Sequence, residues 1–343
     1  MKQLLNTLYI MTQGAYLRLD HETLKVDVEG ETRLQVPFHH LGAVVCFGDV
    51  MLSPRAMHKC AGDGRAVVLL DRNGRFKARV EGPTSGNVLL RRAQHEALSS
   101  ETLSLSIARN IVASKVRNSR QVVLRCAREA TISNEETRLR DTANVLENCL
   151  GRLPGCTDLD AVRGIEGEAG RAYFSTFGLM IKGDRKTFGF SSRTRRPPLD
   201  PLNALLSFLY ALLLNDCVAA LEGVGLDPQV GFLHALRPGR PSLALDLMEE
   251  TRSIVADRLA LTLVNRRQVG RKHFEFRPGG AVYLDEEGRK TVVAAYQRRK
   301  HEEVPHQTLG KKVPVGLVFH VQARFMARHL RGDTEEYIPF IYQ

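Results

Sequence analysis

The stretch AVVLLDRNGRFKARVEGPTSGN, residues 66–87, holds the change of pattern on which the fold turns. Its first part reads as two short strands around Asn73-Gly74, a dipeptide suited to the φ > 0 positions of a two-residue hairpin turn. EGPTSGN (81–87) then strings together the residues of a linker. Upstream, AYLRL (15–19), LKVDV (24–28), TRLQV (32–36) and AVVCF (43–47) alternate apolar with polar residues or lie between Gly, Asp and Pro signals, as strands of a small antiparallel sheet do. SPRAMHKCAGDG (53–64) reads as one short helix among them. Downstream, from Val88 to Cys149, there is almost no glycine or proline. Leu98, Leu103, Leu105, Ile107, Ile111 and Val112 recur there at the spacing of an amphipathic helix. Breaks at GRLPGC (151–156), RRPPLDP (195–201), GVGLDP (223–228) and RPGRP (237–241) divide the rest into four or more helices. The expected architecture is α+β and multidomain: an N-terminal antiparallel β-sheet domain over 1–83, then a larger all-α-helical catalytic domain over 84–343.

Composition is that of a folded protein with a real core: 343 residues, 43% hydrophobic and 25% charged. Lysine and arginine number 49 against 38 acids, a formal charge of +11 that points to a polyanionic partner. The six cysteines (46, 60, 126, 149, 156, 217) form no CxxC pair and read as reduced, buried thiols. MKQLLNTLYIMTQG has neither a long apolar core nor a small-residue cleavage site, so a cytoplasmic protein is expected. ALLSFLYALLL (204–214), bracketed by Asn203, Asn215 and Asp216, falls short of the roughly 18 residues of a spanning helix and reads as a buried helix. No membrane partner is expected.

One acidic residue sits where acids are costly. With residues about 100° apart on a helix, Val162, Ile165, Ala169, Ala172, Tyr173, Phe177 and Met180 share one apolar arc, and Glu166 falls inside it. A buried carboxylate needs a partner, a hydrogen bond or a metal ion. The bland partner is an arginine from a neighbouring helix. A second acidic group lies in GFLHALRPGRPSLALDLMEETR (231–252). His234 precedes a helix starting near Pro241-Ser242, on which Asp246 and Glu249 are neighbours at i, i+3. Periodicity alone assigns these two acids to a solvated face. Should the helix instead turn that face to a cleft, Glu166, His234 and Glu249 or Asp246 converge. Mixed oxygen and imidazole ligands without thiolate suit Mn²⁺ or Mg²⁺.

GIEGEAGRAYF (164–174), DPLNALLSFLYALLLND (200–216) and GFLHALRPGRPSLALDLMEETR, in this order, resemble the CRISPR-associated integrase family, CRISPR-associated protein one. LNTLYIMTQGAYLRLD (5–20) is most similar to members from type I-C systems. The resemblance implies an N-terminal β domain and a C-terminal helical domain. It also implies a homodimer that joins CRISPR-associated protein two and inserts spacer DNA into the repeat array. The implied chemistry is metal-assisted attack of a spacer 3′-hydroxyl on a phosphodiester, with endonuclease activity, using Mg²⁺ or Mn²⁺. Glu166, His234, Asp246 and Glu249 are the implied catalytic group, and Glu166, His234 and Glu249 the implied metal ligands. Many members carry aspartate where this chain has Glu249, so Asp246 stands as an orienting residue or alternate ligand. His234 stands as ligand or proton shuttle.

Between the Glu166 helix and the next lie Lys182, Arg185, Lys186, Arg193, Arg195 and Arg196, and the histidine segment adds Arg237 and Arg240. These are the expected contacts to the phosphates of double-stranded DNA, by backbone and shape rather than by base code. Two other readings stand beside the integrase: a non-catalytic scaffold binding DNA ends, with Glu166 merely ion-paired, and a repair phosphodiesterase acting on branched DNA.

Overall fold

The computed structural model describes residues 6–80, 82 and 88–342. The chain forms two compact units, Met1–Gly86 and Asn87–Gln343.

Among the described residues the first unit carries eight strands: β1 (Asn6–Ile10), β2 (Ala15–Asp20), β3 (Thr23–Val28), β4 (Glu31–Pro37), β5 (Leu41–Phe47), β6 (Val50–Leu52), β7 (Val67–Leu70) and β8 (Phe76–Val80). They pair in two four-stranded sheets, in the orders β1-β5-β7-β8 and β4-β3-β2-β6. Alternation along β2 and β3 turns Ala15, Leu17, Leu24 and Val26 into one core with Phe38, Leu41, Val44, Cys46 and Val67. The sheets are mixed rather than purely antiparallel, because β1 runs parallel to β5, β5 to β7 and β2 to β6. The reason lies in SPRAMHKCAGDG. It forms α1 (Pro54–Gly62), capped by Ser53, and this helix makes the crossover that a parallel β5–β7 pairing requires. β7 and β8 form the antiparallel hairpin, but its turn is wider than two residues. Asp71 Oδ1 accepts from the N–H groups of Asn73 and Arg75, both at 2.9 Å, and Gly74 alone takes a positive φ, +84°.

The second unit contains α2 (Val88–Ser99), α3 (Glu101–Arg128), α4 (Ser133–Arg152), α5 (Leu159–Ser175), α6 (Pro201–Glu222), α7 (Ser242–Arg252), α8 (Arg258–Asn265), α9 (Glu286–His301) and α10 (Val315–Leu330). It is not wholly helical: β9 (Phe274–Phe276) pairs with β10 (Val282–Leu284), and β11 (Glu303–His306) with β12 (Lys311–Pro314). Side-chain caps set the starts. Ser100 accepts from Leu103 N and opens α3, Asp158 opens α5, and Asp200 with Pro201 opens α6. α3 packs against α4, α5 and α7, and α7 also against α6. α6 is twice the expected length, and by length and composition it could cross a membrane. More than half of its most apolar window is nevertheless buried inside the protein. All six cysteines are unpaired, five of them buried and Cys126 partly so.

Residues 337–342 are drawn into this unit. Asn110 Nδ2 donates to Tyr337 O at 2.9 Å, Asn118 Nδ2 to Phe340 O at 3.0 Å, and Tyr342 N to Asn118 Oδ1 at 2.8 Å. Glu250 accepts from Phe340 N at 2.7 Å, from Gln322 Nε2 at 3.0 Å and from the Tyr337 hydroxyl. Tyr337 and Phe340 are fully buried.

Candidate active site

Glu166 is presented by α5, whose buried stripe is Val162, Ile165, Ala169 and Tyr173. The helix ends at Ser175, and Phe177 and Met180 are buried from a separate 3₁₀ turn. Glu166 therefore lies at the margin of the stripe rather than at its centre, with its side chain 32% exposed. Its partner is a lysine, not the arginine of the bland reading: Lys115 Nζ, from the middle of α3, donates to Glu166 Oε1.

The same ammonium lies 2.8 Å from Glu249 Oε2, so one buried cation joins carboxylates from α5 and α7. Arg252 Nη1 binds the other oxygen of Glu249 at 2.8 Å. Burial alone would push the Glu249 carboxyl upward, but Arg252 and Lys115 outweigh it and draw it down to about 2. Glu249 Oε2 is buried and meets no donor besides the Lys115 ammonium. The solvated face expected for Asp246 and Glu249 is overturned, since they are 0% and 4% exposed. With α3 and α6 both packed on it, α7 has almost no side left for water.

Asp246 organises the histidine segment. Its Oδ2 accepts from Phe232 N at 2.7 Å and Leu233 N at 3.0 Å, and its Oδ1 from His234 N at 3.0 Å. His234 Nδ1 completes the set at 2.6 Å. Four donors fill the roughly four acceptor positions of a carboxylate. With Asp246 ionised, Nδ1 carries the proton and Nε2 is left as the free acceptor. Gly231 lets this loop lie on the start of α7, because a Cβ there would fall 2.6 Å from Ser242 C and 2.8 Å from Asp246 Oδ2.

Beyond Arg252 the helix widens into a π turn, Ser253–Asp257, before α8. Such turns are frequent at functional sites. Asp257 is buried and accepts from Tyr173 Oη of α5 at 3.0 Å and Tyr210 Oη of α6 at 2.5 Å. The Tyr210 ring lies under the guanidinium groups of Arg193 and Arg252, at 5.2 and 5.3 Å. A small cleft is lined by Lys115, Tyr173, Glu249, Arg252 and Asp257 among others.

Among the described residues no three His, Cys, Asp or Glu side chains are gathered as metal ligands. The donor set still fits a hard divalent cation: two carboxylates from different helices converge on one positive centre, and Glu249 Oε2 meets no donor besides that centre. Asp246 has no lone pair to spare. Lys115 and Arg252 escaped the sequence reading, although Lys115 follows Ile107 and Ile111 at spacings of four on the buried stripe of α3.

The basic residues divide. Lys182 pairs with Glu129 at 2.8 Å, and Arg185 binds Glu135 through both terminal nitrogens. Arg193 is half-buried and committed to Asn203 Oδ1 at 2.7 Å and Ser207 Oγ at 3.0 Å. Lys186, Arg195, Arg196 and Arg237 are exposed and Arg240 partly so.

The sequence matches the family model described as CRISPR associated protein Cas1 over residues 8–298. It is 60% identical over 340 residues to the CRISPR-associated endonuclease Cas1 1 of Moorella thermoacetica, covering 99% of each chain. The fold is similar to that of a Cas1 protein from Thermotoga maritima, with a TM-score of 0.81 at 24% identity over 97% of this chain and 99% of that one. It is also similar to a chain of a Cas6-RT-Cas1–Cas2 complex, with a TM-score of 0.84 at 24% identity, spanning 100% of this chain and 37% of that one. A strand-rich unit followed by a helical one, a match over most of the length and a relative of this closeness lead to one conclusion: the chain belongs to the Cas1 family of CRISPR-associated endonucleases.

Proposed function

We propose that this protein is a metal-dependent DNA integrase and endonuclease of CRISPR adaptation. The observation that carries the reading is the convergence of Glu166 and Glu249, from two helices, on a single cationic nitrogen. Glu166, Glu249 and the free Nε2 of His234 would hold Mg²⁺ or Mn²⁺. When bound, the ion supplies the positive charge that polarises a phosphodiester oxygen. The remaining work falls to the chain itself. Asp246 keeps His234 in one tautomer, so Nε2 is available to the ion or to a proton. Arg252 fixes the rotamer of Glu249 from its far oxygen. In strand transfer a spacer 3′-oxygen bonds to phosphorus as the target's P–O3′ bond breaks; the proton of the attacking hydroxyl leaves to a base, and the departing target O3′ takes up a proton to become a 3′-hydroxyl.

Lys186, Arg195, Arg196, Arg237 and Arg240 are the residues proposed to meet duplex DNA phosphates, because they are the basic side chains of the set not enclosed by acids or by the core. The complex in which a similar chain stands beside Cas2 supports CRISPR-associated protein two as a partner, and the family resemblance supports a homodimer acting in the cytoplasm. The type I-C placement rests on residues 5–20.

The pairing of Glu166 with Lys115 favours one rival, the DNA-end scaffold in which Glu166 is structural. Strand transfer of a 3′-hydroxyl duplex into supercoiled repeat DNA, with Cas2 and Mn²⁺, separates the two. Loss of product in Glu166→Gln at unchanged melting temperature supports the integrase. Equal product from both proteins overturns it.

A further inference from the structure

Lys115 is an unusual residue to find at the centre of a proposed cation site. It is 5% exposed and stands mid-helix, and its ammonium is shared between Glu166 and Glu249. Together with Arg252 it already neutralises both carboxylates. A divalent ion added to that arrangement would leave a surplus of positive charge in a buried place, which is strongly unfavourable. Removing Lys115 from it would not leave Glu249 uncompensated, because Arg252 holds the other oxygen.

Resting on the metal-dependent reading above, we propose that Lys115 is a built-in competitor for the divalent cation, so that metal entry requires Nζ to leave Glu166 and Glu249. Two further observations favour such an exchange. Glu249 Oε2 meets no donor besides the Lys115 ammonium, so this oxygen is open to another cation once Nζ leaves. Lys115 also lines the small cleft that Glu249 and Arg252 share, the direction in which a released ammonium would turn. Metal affinity is thereby set by the cost of an internal displacement as well as by the ligands.

The test needs no DNA. Mn²⁺ binding to the full-length protein is measured by calorimetry for wild type, Lys115→Met and Lys115→Gln. In parallel, Lys115 of the wild type is quantified by mass spectrometry after brief amine acylation, with and without saturating Mn²⁺. The expected result is affinity about tenfold tighter in the neutral variants and several-fold more acylation of Lys115 when Mn²⁺ is bound. The labelling arm keeps the test decisive if a variant does not fold, and it separates displacement from the mere loss of a nearby charge. Equal or weaker affinity in folded variants, or labelling that stays level or falls, overturns the inference and leaves the proposed function standing. No saturable Mn²⁺ binding by wild type or variants overturns the metal reading itself.

Discussion

Asp246 holds His234 at two points, the backbone N–H at 3.0 Å and the ring Nδ1 at 2.6 Å, from a position with no exposure to solvent. Main chain and ring are thus fixed by one carboxylate. In Asp246→Asn the side chain keeps its size but has only one oxygen for three backbone donors and presents an amide to the others. We expect a loss of about 2–4 kcal/mol in stability and a fall in activity of about 10- to 100-fold. Nitrogen-15 NMR of the imidazole should show mixed tautomers where the wild type shows one.

Glu249 and Glu166 share a partner but differ in depth, 4% against 32% side-chain exposure. Glu249→Ala strands Arg252 and weakens the hold on Lys115, so denaturant unfolding should report a loss of about 3–5 kcal/mol. Glu166→Ala leaves Lys115 its second carboxylate and should cost no more than about 1–2 kcal/mol. A reversed order of the two would mean that the cation is not held chiefly from α7.

Gly231→Ala tests the close approach of the histidine loop to α7. An added Cβ meets backbone atoms at 2.6 and 2.7 Å, which cannot swing aside as a side chain would. We expect about 1–3 kcal/mol of destabilisation, with faster hydrogen exchange at the N–H groups of Phe232, Leu233 and His234.

Glu250 gives a pH dependence of defined sign. Burial, opposed by hydrogen bonds from Phe340, Tyr337 and Gln322, pushes its carboxyl up from 4.5 to about 7. Between those values the folded state holds a proton that the unfolded state has released, so stability falls as pH rises through this window and levels off above it. Glu250→Gln, which mimics the protonated form, should flatten the melting temperature between pH 5 and 7.5 and exceed wild type at pH 8. A wild-type melting temperature that climbs through the window, with no change in slope in the variant, would contradict the assignment.

Much of this was legible in the sequence wherever a local signal decides structure. Caps and breakers marked the helix starts, and the vanishing of glycine after residue 87 marked the change from strands to helices. Glu166 stood out because an acid interrupts an apolar stripe. The same reasoning applied to Ile107, Ile111 and Lys115 would have found its partner, but a lysine with a long apolar stem excites less suspicion. Asp246 and Glu249 were misplaced for a different reason: periodicity identifies a helix's more apolar face but is silent on whether a second element covers the other one. The parallel pairings and the π turn at Ser253–Asp257 likewise depend on distant partners, Tyr173 and Tyr210 in the latter case.

The capture of residues 337–342 bears on the order in which the protein is made. Asn118 and Phe340 are 222 residues apart in the chain, and Glu250 and Phe340 are 90 apart. Chains grow at about 5–20 residues per second, so α3 and α7 wait seconds on the ribosome with Asn118 and Glu250 still lacking these partners. The helix that presents Glu249 therefore carries Glu250 without the Phe340 N–H until residue 340 has been made.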